Sequence, residues 1–250
     1  MSFYLERVLE VGTAWFLLWA AAGQSGVVAP LQAHLESQQS EWVLGVPVEF
    51  TASISNVSSA PVQSTDCDLR PDCERMIPLI SEDGSSFHSF RGPEWDLGEL
   101  MDLVPGKITL KPGTKVQASF ILLWNRPTDT TKQAPTDGFA FPHVGTYFVK
   151  IKVSSGAGDL ISNVVRVVIR QPEGDDAAIW EVLKADKGLA RYYGFPDGAA
   201  GQGEKLQQLL SKYPNSSHAA SLKKALAVYA RQKAEIEEAN KARSNPQQQH

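Results

Sequence analysis

The sequence predicts an α+β chain, an antiparallel β-sandwich over residues 27–172 followed by a small helical module over 175–243. Three observations predict it. Between Leu110 and Gln171, three apolar, β-branched runs (LKPGTKVQASFILLWN, FAFPHVGTYFVKIKV and ISNVVRVVIRQ) alternate and are parted by Pro, Gly, Asp and Ser, the pattern of consecutive antiparallel strands. At Pro172-Glu173-Gly174-Asp175-Asp176 the apolar period changes from two to about three and a half, which marks a switch from strands to helices. The length of 250 residues, with 42% hydrophobic and 21% charged side chains, suits one large or two small globular domains.

Taken in order, residues 1–26 read as a signal segment. Val11 to Ala22 is an apolar run of 12 residues, too short to span a bilayer as a helix. It suits the h-region of a secretory signal, with Ala20-Ala21-Ala22 as the small-residue cleavage site. Glu6 and Glu10 depart from the usual basic start. Val28 to Leu35 is expected to form an edge strand. From Gly45 to Asn56 the pattern is clearer: Val46, Val48, Phe50, Ala52 and Ile54 fall on one face at period two.

Cys67 and Cys73, the only cysteines, frame CDLRPDC and are expected to form a disulfide, which agrees with an oxidising compartment. Residues 63–109 are less regular. Arg75 to Ser81 is expected to be a short strand, Glu82-Asp83-Gly84-Ser85 a turn and Ser86 to Phe90 the return. Pro78 demotes its strand to an edge position. Pro93 to Val104 reads as a looping insertion or a single helical turn. An excursion of this kind between paired strands is where a sandwich places its individual function.

Two stretches carry a resemblance. Val144-Gly145-Thr146-Tyr147 resembles the strand-F corner of an immunoglobulin-like sandwich, and Gly45 to Asn56 resembles strand B of bacterial immunoglobulin-like domains. The resemblance implies an immunoglobulin-like fold in which the Tyr147 hydroxyl ties back to the preceding corner.

In the helical part, Ile179, Leu183, Ala190 and Tyr193 share one helical face, Asp175 and Asp176 are candidate N-caps and Gly194 is a stop. Gly198 to Gly203 is a link. Glu204 to Tyr213 is a second helix and a third starts at His218, before a tail at 244–250 expected to be disordered. Leu206 to Ala230 resembles a single tetratricopeptide-like helical hairpin, with Tyr213, Pro214, Asn215 and Ser216 matching the turn found in bacterial envelope versions. This resemblance implies a module that packs on the sandwich or pairs with another chain.

The motifs of catalysis are missing. There is no H-E-x-x-H zinc helix and no G-x-S-x-G nucleophile elbow, and GAAGQGEK lacks the G-K-[ST] ending of a phosphate loop. No two histidines stand at ligand spacing. Asp66, Asp68, Asp72 and Glu74 surround the cysteine pair, but without the ordered calcium-loop pattern they read as an acidic solvated turn. No catalytic, cofactor or metal site is therefore expected. A formal net charge of −4 gives no drive toward nucleic acid. Phe87, His88, Phe90 and Trp95 are the candidate binding surface, because exposed aromatics stack on sugars or anchor a protein partner.

The expectation is a periplasmic or secreted, non-catalytic binding or scaffolding protein without a stable membrane span after signal cleavage. Its partner is another envelope or secreted protein. A carbohydrate-binding sandwich is the first alternative, and a small hydrolase with a dispersed site the second.

Overall fold

A computed structural model describes residues 30–65, 76–90, 107–125, 138–155, 158–194 and 202–244. The signal-like segment, Cys67, Cys73, the acidic residues around them and Trp95 lie outside the described residues. The strands in chain order are β1 (Leu31–Ser37), β2 (Glu41–Val43), β3 (Val48–Asn56), β4 (Val62–Thr65), β5 (Met76–Ser81), β6 (His88–Ser89), β7 (Lys107–Leu110), β8 (Lys115–Leu122), β9 (Trp124–Asn125), β10 (Gly138–Phe139), β11 (Gly145–Ser155), β12 (Gly158–Ile161) and β13 (Val165–Arg170). Four helices follow, α1 (Gly174–Ala185), α2 (Lys187–Gly194), α3 (Gln202–Lys212) and α4 (Ala219–Ser244).

Two sheets enclose the larger core. One is three-stranded with order β1-β3-β8, and the other runs β2-β13-β11-β5-β6. All the pairings in these two sheets are antiparallel except β13 with β2. Alternation explains which side chains meet between them. Val48, Phe50, Ala52 and Ile54 of β3 are fully buried while the residues between them are half-buried, and Tyr147, Val149, Ile151 and Val153 of β11 are buried in the same way. The class is α+β, two packed and mainly antiparallel sheets followed by a small helical module.

The Tyr147 corner is present. Its hydroxyl accepts a hydrogen bond from the His143 N–H at 3.1 Å and donates to the His143 carbonyl at 3.0 Å. Phe141 packs edge-on against its ring at 5.1 Å, and burial pushes the phenol above its ordinary pKa.

Three local expectations are corrected. β5 is an interior strand, flanked by β11 and the two-residue β6. Pro78 is accommodated because its side of the ladder faces β6: its carbonyl accepts the Phe90 N–H at 2.8 Å, where β6 has already ended. The helix at 175 is preceded by Glu173 at the N-cap position, with no side-chain cap, and Asp175 and Asp176 sit in its first turn. The apolar face drawn from Ile179 to Tyr193 runs over two helices rather than one. Asp186 ends α1 and its carboxylate accepts the Leu189 N–H at 2.9 Å, capping α2.

Candidate functional site

Of the residues singled out as a binding surface, the described three, Phe87, His88 and Phe90, do not all lie on one exposed face. Phe87 and Phe90 stand three positions apart in an extended return, and an odd separation sends them to opposite faces. Phe90 is 6% exposed and belongs to the sandwich core. Phe87 is half-buried on the outer side, with the Lys150 ammonium 3.8 Å from its ring centre. His88 is exposed in β6. The aromatic platform is thereby corrected: Phe90 closes the core, and Trp95 lies outside the described residues. The turn that precedes them forms as expected. Asp83 accepts hydrogen bonds from the Ser85 and Ser86 N–H groups and from the Ser81 and Ser85 hydroxyls, and these hold its carboxyl far below the ordinary range.

The structure instead concentrates unusual features where the helices meet the sandwich. Leu123 and Trp124, at the end of β8 and in β9, are buried in the helical core beside Ile179, Leu183, Leu189 and Tyr193. Trp180 of α1 turns the other way and joins the sandwich core. Phe139 of β10 links the two, 5.0 Å from Trp124 and 4.5 Å from Trp180 between ring centres. Two glycines permit the approach. A Cβ on Gly45 would stand 2.6 Å from the Trp180 ring, and one on Gly194 would stand 2.9 Å from Leu123.

Beside this seam lies a cleft of about 190 Å³. Pro47, Glu49 and Ile121 line it from the sandwich, and Tyr193, Ser221 and Lys224 from the helices. Glu49 and Lys224 form an ion pair across it. Tyr193 is 1% exposed, and burial holds its phenol well above the ordinary value, so it stays neutral. Its hydroxyl lies 3.3 Å from Nδ1 of His218, which is fully buried. Burial pulls His218 down to about 4, against a smaller opposing influence of Asp176. Asp176 of α1 accepts hydrogen bonds from the N–H and hydroxyl of Ser217, both at 2.7 Å, and so fastens α1 to the turn before α4.

This arrangement is built to hold helices in place. A histidine that acts as a base must reach its substrate, and His218 is enclosed. Among the described residues no group of three His, Cys, Asp or Glu side chains is placed to hold a metal ion, and no helix is long and apolar enough to cross a membrane.

The hairpin α3–α4 uses most of its apolar face internally. Leu206, Leu209, Leu222 and Ala225 are buried, and Leu210, Tyr213, Leu226 and Tyr229 pack partly buried against them. Gly203 at the start of α3 lies against the Tyr229 ring, and the Tyr229 hydroxyl donates to Glu204 at 2.5 Å. That contact lies at the N-terminal end of α3, and α4 runs on beyond it. From Ala230 to Lys241 every described side chain of α4 is exposed, over a length of about 17 Å. Arg231, Lys233, Glu235, Glu237, Glu238 and Lys241 cover it with both signs of charge.

The sequence marks Tyr193 only as one apolar position on a helix face, and His218 only as the start of a helix. Their meeting is a long-range event, and the one local hint is a polar turn, Asn215-Ser216-Ser217, placed directly before the histidine.

No family model matches the chain, and no curated protein does. Solved structures give low likenesses of differing kinds. The sporulation control protein Spo0M of Bacillus subtilis shares 13% identity over 63% of this chain and 56% of its own, with a TM-score of 0.32. A β-glucosidase of Listeria innocua in complex with isofagomine shares 13% identity over 56% of this chain and 16% of its own, at 0.28. The CARDB domain of the PF1109 protein from Pyrococcus furiosus, in complex with di-metal ions, shares 10% identity over 56% of this chain and 91% of its own, at 0.27. The chain thus spans about half the length of the sporulation control protein and a sixth of the glucosidase. Likenesses this low carry no argument about activity.

Proposed function

We propose that the chain is a non-catalytic binding or scaffolding protein that acts through protein–protein contacts outside the cytoplasm, in the periplasm or as a secreted protein. The observation that carries this reading is the C-terminal half of α4, where every described side chain from Ala230 to Lys241 is exposed. A helical stretch whose described side chains are all exposed and carry charges of both signs suits a bridging element. The packed first half of α4 nucleates the helix, but the exposed half adds no described burial of its own, so a partner would add to its order. Its alternating charges favour a partner helix or surface with the complementary pattern. The tetratricopeptide-like turn at Tyr213 to Ser216 supports the same reading, since such hairpins pair with further helices. The apolar run at Val11 to Ala22 and the close cysteine pair support export.

The test is affinity capture from the native envelope fraction, comparing the full chain with a chain ending at Ala230. The expected result is a defined protein recovered by the first and lost with the second. Equal recovery of every partner by both chains would remove α4 from the function and sink the proposal.

A further inference from the structure

Deep in the helical module, three elements converge on one imidazole. His218 sits at the N-terminal end of α4 with no exposed surface. On one side its Nδ1 faces the Tyr193 hydroxyl of α2 at 3.3 Å, and its carbonyl accepts the Leu222 N–H at 2.8 Å to open α4. On the other side Nε2 is buried without a hydrogen-bond partner, as is the Ser216 hydroxyl two residues earlier. The charged groups near it are already engaged. Asp176 of α1 spends both carboxylate oxygens on Ser217. Glu49 of β3, which faces Tyr193, is paired with Lys224 of α4.

We propose that His218 is an acid-sensitive latch, which keeps the α3–α4 hairpin docked on α1 and α2 only while its imidazole is uncharged. The neutral ring has one N–H and one lone pair. The Tyr193 hydroxyl serves Nδ1, and the enclosure tolerates a single unpaired neutral nitrogen. Adding a proton puts N–H donors on both nitrogens and a full positive charge in an interior where Nε2 has no acceptor within hydrogen-bond reach. The charge also lies at a helix N-terminus, where the dipole is positive. Glu49 is held by Lys224, so Asp176 is the anion that acts on the ring, and drawing it toward the imidazolium withdraws it from Ser217, which is the tie between α1 and the hairpin. Each route that accommodates the proton therefore loosens the hairpin, and loosening uncovers Leu206, Leu222 and Ala225.

The direction follows from linkage. Burial holds the docked imidazole at about 4, against 6.5 for a free one. The released state binds the proton more tightly, so docking is at full strength above about pH 6.5 and weakens as the pH falls toward 4. Below that value both states are protonated and this contribution no longer changes.

The test is amide hydrogen exchange of the full chain through this range, with protection corrected for the intrinsic pH dependence of exchange. The expected result is that protection of the Leu222 and Ala225 amides falls by up to tenfold per pH unit, about 300-fold in all between pH 6.5 and 4. Phe50 and Val149 in the sandwich core are the internal control and change far less. In His218→Gln, which carries no titrating ring, the dependence on that window disappears. Unchanged Leu222 and Ala225 protection in the native chain overturns the latch, and so does an equal slope in the variant. Should His218→Gln fail to fold, the native imidazole is followed by NMR. A ring that resists protonation until the hairpin amides exchange supports the latch, and one that protonates near 6.5 with those amides still protected overturns it.

Discussion

Two residues show how much one position contributes when packing leaves it no alternative. Tyr147 closes its corner with a hydroxyl that both accepts from and donates to the backbone of His143. Tyr147→Phe keeps the ring against Phe141 and removes only these bonds, so the expected loss is about 1 kcal/mol in a urea melt. A change indistinguishable from zero would mean that water replaces the hydroxyl at no cost. Gly45 is the stricter case. Its φ of +89° is a conformation that L side chains rarely adopt, and an added Cβ meets the Trp180 ring at 2.6 Å. Gly45→Ala combines backbone strain of about 1–2 kcal/mol with displacement of a core indole. The expected destabilisation is at least about 2 kcal/mol, read as a lower urea midpoint with a quenching change in tryptophan emission. An unchanged midpoint would show that the seam between α1 and the sandwich is looser than its packing indicates.

Among the elements, β12 and β13 behave as one strand broken at Ser162–Val164, pairing with the far and near halves of β11 in turn. The break has a use. The Asn163 side chain donates to the Leu35 carbonyl and accepts its N–H, both at 2.9 Å, on the open side of β1. An edge strand is thereby closed by a side chain rather than by another strand. Asn163→Ala is expected to cost about 1–3 kcal/mol, because the polar groups of Leu35 lose their partner, and to speed exchange of the Leu35 amide above all others in β1. If that amide is unaffected, the bridge is not what protects the edge. Such features also mark what the sequence could and could not convey. β3 and β11 were legible because burial alternates along their whole length, and the Tyr147 corner because a turn glycine and a strand tyrosine stand at fixed spacing. The bridge of Asn163 to Leu35 spans 128 positions, and nothing local to either residue announces it. The same holds for His218 and Tyr193, which each read as ordinary helix positions. Phe87 and Phe90 failed differently: their composition suggested a surface, while strand periodicity, already visible, separated them.

At the scale of the whole molecule, the question is whether sandwich and helices form one cooperative unit. Their cores exchange residues in both directions. Leu123 and Trp124 leave the sheet to fill the helical core, and Trp180 leaves α1 to fill the sandwich. Phe139 contacts both indoles, and the Glu49–Lys224 pair adds a surface tie. Such interlocking argues against two bodies on a linker, since neither core is complete without the other. The native chain should therefore unfold in a single calorimetric transition. Trp180→Ala removes the side chain that α1 contributes to the sandwich while leaving Ile179 and Leu183 to hold the helices together. A truncation of this kind costs about 3–5 kcal/mol, and here the loss falls on the coupling more than on either core. The expected outcome is two separated transitions, the helical one followed by loss of far-ultraviolet helix signal and the sandwich one by the indole N–H resonance of Trp42, which is buried in the sheet core. A variant that still melts in one step, merely at a lower temperature, would show that Leu123 and Trp124 alone are enough to join the two parts.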